Sequence, residues 1–194
     1  MQNEYYGDDL PPIVWTYNNI GAIYNEMQET EKALANLEKA YSIAKGYLGK
    51  EHPLCATILN NIAVSYDIMG NYSKVFDYGT QALEIRLSIY GEKHLDTGTS
   101  INNIGYVYME KADYENTRKY FGRALEIYLS SAVMESIYSA RCHLNIGKVE
   151  LALGNKDIAL QYIRTAKAIF SKLEHEPGAA EAETLLKKAS HCTE

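Results

Sequence analysis

The sequence is poor in the residues that break or staple a chain. Four prolines among 194 residues leave room for long, uninterrupted helices. Three cysteines, Cys55, Cys142 and Cys192, form an odd set with no paired spacing. That excludes a disulfide framework and leads us to expect free thiols in a reducing, cytoplasmic compartment. No run of about 18 apolar residues occurs, so no segment is expected to span a membrane. Basic residues are in deficit, 19 against 25 acidic ones, for a net charge of −6. Nucleic acid and anionic membranes demand the opposite balance and are not expected as partners. The first ten residues carry Glu4, Asp8 and Asp9 without a base. They lack the basic start and apolar core of a secretion signal, and 1–10 is expected to be a flexible acidic segment.

Chemistry-bearing patterns are missing as well. There is no Cys-x-x-Cys, His-x-x-x-His or His-Glu-x-x-His spacing and no Gly-rich phosphate loop. Cys142 and His143 are neighbours, and adjacent residues of a helix point apart, so they do not form a nucleophile–base pair. His52 and His94 share one repeat position in a loop, where a turn role is expected over a metal site. No cofactor, no metal and no enzymatic activity are expected.

What the chain has is a repeat. Asn18-Asn19-Ile20, Asn60-Asn61-Ile62 and Asn102-Asn103-Ile104 recur every 42 residues, and Leu144-Asn145-Ile146 keeps the spacing. Cut in phase, the repeats are 11–52, 53–94, 95–136 and 137–178, without insertion or deletion. Other columns share the phase. Gly21, Ala63, Gly105 and Gly147 follow the Ile; Tyr24, Tyr66, Tyr108 and then Glu150 come four after it. Ala40, Ala82, Ala124 and Ala166 recur later, followed by Ile43, Ile85, Ile127 and Ile169. A fixed period of this size marks a stacked-repeat architecture.

Each repeat contains two helical stripes. In the second repeat, Leu59, Ile62, Ala63, Tyr66 and Met69 lie at steps of 3 and 4, one face of a 3.6-residue period. Gly70-Asn71 interrupts the pattern as a helix end and tight turn would. A second stripe runs through Val75, Phe76, Gly79, Ala82, Leu83, Ile85 and Ile89, and Gly91 stops it. Pro53 suits the first turn of the next helix, where its missing N–H costs nothing. Each unit is therefore expected to be a helix–turn–helix hairpin. The small-residue columns let neighbouring helices approach closely, and stacking buries faces that one hairpin leaves open.

These columns resemble the tetratricopeptide repeat family. Ile62, Ala63 and Tyr66 match its first-helix pattern, Gly70 and Tyr72 its turn, and Ala33 and Ala82-Leu83 its second helix. The usual period is about 34 residues. The longer one here, with Leu48-Gly49-Lys50-Glu51-His52-Pro53 and Ala82-Leu83-Glu84-Ile85-Arg86, is similar to the kinesin-light-chain variant. The extra length is expected in the second helix and the loop between repeats. The resemblance implies an all-α, right-handed α–α superhelix of four hairpins. Residues 179–194 are expected to form a capping helix and tail, with Ala182, Leu185, Leu186 and Ala189 inward.

The resemblance also implies that first helices line a concave groove where a protein or peptide ligand binds. Carried over by phase, the groove rows are Trp15, Thr57, Thr99 and Arg141; Asn18, Asn60, Asn102 and Leu144; Asn19, Asn61, Asn103 and Asn145; and Ala22, Val64, Tyr106 and Lys148. Asn offers a donor and an acceptor on one short neutral side chain, suited to both groups of a peptide backbone. Two readings of the inner Asn row stay open: holding a ligand, or bridging adjacent hairpins. Asn18, Asn60 and Asn102 are expected to pack or bridge. The two-Lys clamp with which some relatives hold a terminal carboxylate is not matched, because its Lys positions hold Trp15, Thr57 and Thr99. Arg141 and Lys148 form one basic spot; Glu26, Asp67 and Glu110 are expected at the groove edge. The expected function is a scaffold or adaptor that captures an extended segment of another protein. The alternative is a regulatory or sensory module that binds a signalling peptide or its own effector domain. Self-association through the open ends of the array is compatible with both.

Overall fold

A computed structural model describes residues 11–131 and 134–191. The acidic segment 1–10 and Cys192 lie outside the described residues. Among the described residues there are nine helices and no strand. They pair as α1 (Ile13–Glu26) with α2 (Thr30–Leu48), α3 (Pro53–Ile68) with α4 (Tyr72–Tyr90), α5 (Leu95–Glu110) with α6 (Tyr114–Ser130), and α7 (Ile137–Ala152) with α8 (Lys156–Lys172). A ninth helix, α9 (Glu176–His191), packs on α8. The chain divides into two compact units after Gly91: α1–α4 in the first, α5–α9 in the second. In the first unit the extra length of the 42-residue period lies mainly in the second helices. Here α2 and α4 run 19 residues each, against 14 for α1 and 16 for α3. In the second unit α6 and α8 run 17 residues against 16 for α5 and α7.

The turn inside each hairpin is made by one residue in the left-handed region: Gln28, Gly70, Ala112 and Gly154, with φ of 60°, 70°, 54° and 80°. These positions are 42 residues apart, so the backbone repeats even where glycine does not. The next N–H reaches back to the carbonyl of the Tyr column, as in Asn71 N–H to Tyr66 O at 2.9 Å and Asn155 N–H to Glu150 O at 2.8 Å. This closes the helix end by satisfying a carbonyl that has no intrahelical donor.

Helix starts are capped by type of joint. Inside hairpins, Asn71 and Asp113 accept from the backbone N–H of Lys74 and Asn116. Those same contacts hold the Asp113 carboxyl below its usual pKa: Asn116 donates both its side-chain amide and its backbone N–H to it. Between hairpins the cap is often an imidazole. His52 Nδ1 accepts from Leu54 N–H and His94 Nδ1 from Asp96 N–H, each at 3.2 Å. His175 Nδ1 accepts from Gly178 N–H at 3.1 Å, which starts α9 at Glu176, upstream of residue 179. Helix α7 uses Ser136 and Ser139 in a reciprocal capping box instead.

Packing inside a hairpin rests on one large residue facing one small one. A Cβ on Gly21 would lie 2.5 Å from Leu37 Cγ, on Gly105 2.9 Å from the Phe121 ring, and on Gly147 2.6 Å from Ile163 Cγ1. In the second hairpin the same two positions hold Ala63 and Gly79, both buried, so the bulk has moved off the second helix. The column of Ala40, Ala82, Ala124 and Ala166 is fully buried throughout. Two positions depart from the expected stripes. Met69 is half exposed because α3 ends at Ile68 and Met69 already belongs to the turn. Ile89 is 39% exposed, the penultimate residue of α4. Helix α9 buries Ala182 against Phe170 and Ile163 and lays Leu185 and Leu186 beside them.

Candidate functional site on the first helices

In the first unit, α1 and α3 are joined by polar side chains. Asn61 Nδ2 donates to Asn18 Oδ1 at 2.9 Å, and Asn18 Nδ2 donates to Asn19 Oδ1 at 3.4 Å. Deeper in, Asn25 Nδ2 donates to the Asn61 carbonyl at 3.0 Å, and buried Ser65 Oγ donates to Asn25 Oδ1 at 2.7 Å. Asn18 is 5% exposed and Asn25 6%, so these bonds satisfy groups that burial would otherwise penalise. Asn18 is thus a bridge between hairpins. Asn61 is both bridge and surface: its donor is used while its Oδ1 points away from that pairing.

The stripes beside this bridge face outward. Asn19 and Trp15 are exposed on α1, with Trp15 at 37%. On α3, Thr57 and Asn61 are half-buried, Val64 is 37% and Ile68 41% exposed. Steps of 4, 3 and 4 residues put Thr57, Asn61, Val64 and Ile68 on one face of α3, and Trp15, Asn19, Ala22 and Glu26 on one face of α1. Thr57 Oγ1 bonds back to its own helix at Pro53 O.

The second unit differs at the matching positions. Thr99, Asn103 and Tyr106 are half-buried on α5, and Tyr106 packs edge-on against Phe121. Arg141 is exposed on α7. Asn145 is only 3% exposed, and its Nδ2 has no hydrogen-bond partner among the described residues. The acceptor that its counterpart Asn61 uses, here Asn102 Oδ1, takes the Cys142 thiol instead, at 3.4 Å. Burial pushes the Cys142 thiol up to about 12, so it stays protonated and able to donate. Lys148 is held in an ion pair with Glu181 of α9 at 2.6 Å, which takes it out of the basic spot expected with Arg141.

Glu150, the residue that replaces Tyr in its column, is 3% exposed. Its carboxylate accepts from Asn155 Nδ2 at 2.7 Å and from Arg118 Nη1 at 3.4 Å. In the second and third hairpins the column keeps its aromatic contacts, with Tyr66 stacked on Tyr78 and Tyr108 on Tyr120. Glu150 therefore ties the third hairpin to the fourth where Tyr would only pack. The columns mark it as an exception, but its partners lie on α6 and in the turn before α8.

The tetratricopeptide repeat profile matches residues 12–88 and 96–172, most of the chain. The chain belongs to the tetratricopeptide repeat family. None of the curated proteins compared matches it significantly. Among solved structures it is similar to BtubC (BKLC) from P. vanneervenii, at 24% identity and a TM-score of 0.73, covering 83% of this chain and 64% of that one. The apo form of RapI gives 21% identity and a TM-score of 0.80 over 92% of this chain and 62% of that one. A kinesin light chain-type protein from Podosopora anserina, with nearly identical TPR-like repeats, gives 16% and 0.74 over 92% and 85%. This tetratricopeptide chain therefore spans somewhat under two thirds of the length of the first two. Its all-α repeat fold and its kinesin-light-chain-like character agree with the long period. Among the described residues no helix is long and apolar enough to cross a membrane.

Proposed function

We propose that this chain is a protein-interaction scaffold that binds an extended segment of another protein along its first helices. In the first unit Asn19 and Asn61 of the inner row hold the backbone, beside Trp15 and Thr57. Family membership supports a protein-binding repeat array in general. The observation that carries the finer reading is the amide relay of the first unit. Asn61 gives its donor to Asn18, and Asn18 gives its donor to Asn19. The relay leaves Asn61 with an open acceptor and Asn19 with an open donor. An extended peptide presents one N–H and one C=O per residue, the complement of that pair. Bridging and binding are then two consequences of one arrangement.

Asn19 is exposed and its Oδ1 accepts from buried Asn18 Nδ2, so Asn19→Asp, which keeps that acceptor and removes the side-chain donors, separates the roles. The variant is expected to keep the melting temperature of the parent and to lose affinity for captured peptide in isothermal titration. Unchanged affinity would remove the inner row from the site. A second reading, a regulatory repeat module joined to an effector, is supported by the likeness to RapI, of which the chain spans 62%.

A further inference from the structure

The first and the last helix are finished differently. Helix α9 buries Ala182 and Ala189 and leaves Thr184, Lys187 and Lys188 exposed, the polar outer face that a terminal cap needs. Helix α1 presents the opposite. One side of it carries Ile13 at 46% exposure, Ile23 at 55% and, where the helix ends, Met27 at 58%. Thr16, exposed, and Ile20, half-buried, complete the line. The steps are 3, 4, 3 and 4, the spacing of a seam between two helices, and no charged residue falls on it. Thr16 donates its hydroxyl to the Pro12 carbonyl, so it asks for no polar partner.

The repeat shows what this side does elsewhere. The columns of Ile13, Thr16, Ile20 and Ile23 continue as Cys55, Ile58, Ile62 and Ser65 on α3, and as Ser139, Cys142, Ile146 and Val149 on α7. All of these are buried, at 3% exposure or less. The hairpin before them does the burying. Cys55 Sγ donates to Gly49 O, Ser65 Oγ to Asn25 Oδ1 and Cys142 Sγ to Asn102 Oδ1. These columns are therefore the joint through which a hairpin receives a neighbour. On α1 the joint is open to solvent, yet it is more apolar than where it is covered: Ile13 stands where α3 and α7 have Cys55 and Ser139, and Ile23 where α3 has Ser65.

We infer that this seam is a self-association surface, on which a second copy of the chain docks its own α1. The occupant must be a helix with a matching apolar stripe. Of the outermost helices α9 offers a polar face, so the stripe is met by its own copy. The contact is isologous and closes at two copies, where a head-to-tail joint would grow into a filament. Copies of net charge −6 repel one another, and an uncharged seam lets them meet without setting like charges face to face. The stripe Trp15, Asn19, Ala22 and Glu26 precedes the seam by one residue at each step, about 100° round the helix. Pairing through the seam and binding on that stripe thus use different sides of α1.

The test is sedimentation equilibrium of the full chain. The seam is short, so a monomer–dimer equilibrium is expected toward the upper end of a series reaching about 1 mM, without larger species. Ile23→Glu sets two like charges in the seam and is expected to weaken the dimer by about tenfold or more. Its circular dichroism is expected to match the parent, because Ile23 is exposed. Ile158→Glu changes an exposed Ile of α8 in the same way and is expected to leave the equilibrium as it is. Ile20→Cys, mid-seam, is expected to cross-link copy to copy through a short bismaleimide in a Cys192→Ser background, and Ile158→Cys is not. A parent that stays monomeric throughout overturns the inference; if deleting residues 1–10 then yields dimers, that segment is the occupant instead. A dimer that survives Ile23→Glu also overturns it, since the contact then lies elsewhere. So does equal weakening by Ile158→Glu, which would mean that net charge alone governs association. Growth into larger species overturns the isologous contact.

Discussion

In the unit that ends at Gly91, α1 and α3 meet through Asn18, Asn25, Asn61 and Ser65. Two repeats further on, the same four positions hold Asn102, Met109, Asn145 and Val149. The first set is a closed hydrogen-bond network. In the second set the inner pair is apolar and, of the two remaining amides, Asn145 is buried with its donor unused. The reason is one residue. Cys142 stands where the first unit has Ile58, and its thiol occupies the acceptor that Asn145 would take. Identical phase and near-identical backbone therefore support two kinds of joint. Whether an asparagine bridges, binds or sits unpaired depends on its neighbours as much as on its column.

The largest expected effect tests the small-against-large pairing inside hairpins. Gly105→Ala places a Cβ 2.9 Å from the Phe121 ring in a filled core. It is expected to cost about 1–3 kcal/mol by overpacking, despite the gain in helix propensity. Ala63→Gly in the first unit makes no clash, and its cost is limited to about 0.5–1 kcal/mol of backbone entropy. Urea titration of both variants measures the pair, and an equal cost would undo the packing account.

Next in size comes the joint itself. Asn61→Leu removes the donor to Asn18 and leaves that buried Oδ1 without its partner, an expected loss of about 1–2 kcal/mol. Asn145→Leu removes an amide that already lacks its partner. It is expected to be neutral or to stabilise by up to about 1 kcal/mol. Opposite signs at two positions of one column would confirm that the joints differ. The same sign at both would mean that Asn145 finds an acceptor in solution.

The turns supply a third contrast. Gly154 adopts its positive φ without strain, while Ala112 holds φ 54° with a Cβ. Ala112→Gly is expected to raise stability by about 1 kcal/mol, readable as a higher melting temperature. A fall would show that Ala112 makes a contact worth more than the strain.

The smallest effect is one of pH. Burial lowers the pKa of His143 from its ordinary value of 6.5, so the unfolded chain binds the proton more readily than the folded one. Stability is expected to be full above about pH 6.5 and to decline as pH falls below it. His143→Leu, the residue found at this position in α3, is expected to flatten that slope. The comparison is made between parent and variant so that every other pH-dependent group contributes equally to both.

Much of the fold was legible in the sequence because the columns state the same packing four times. Gly21, Gly105 and Gly147 identified the close approach, and Ala40, Ala82, Ala124 and Ala166 the second contact. Periodicity misplaced Met69, since a stripe carries no information about where a helix ends. The inner Asn row was legible as a row, yet its two open readings needed the hydrogen bonds. The direction of the Asn61–Asn18–Asn19 relay lives in side-chain torsions, to which a repeat period is blind. The pairing of Lys148 with Glu181 was hidden for another reason: α9 lies outside the repeat, so no column points to it.

That relay has a handedness of its own. Its bonds run one way, from Asn61 on α3 to Asn18 and then Asn19 on α1. A strand laid across both helices presents its N–H and its C=O in a fixed order from amino to carboxyl end. Each amide of the relay keeps a second N–H and a second lone pair, so such a strand can meet donors and acceptors in either direction, and the relay fixes the spacing of those contacts rather than their polarity.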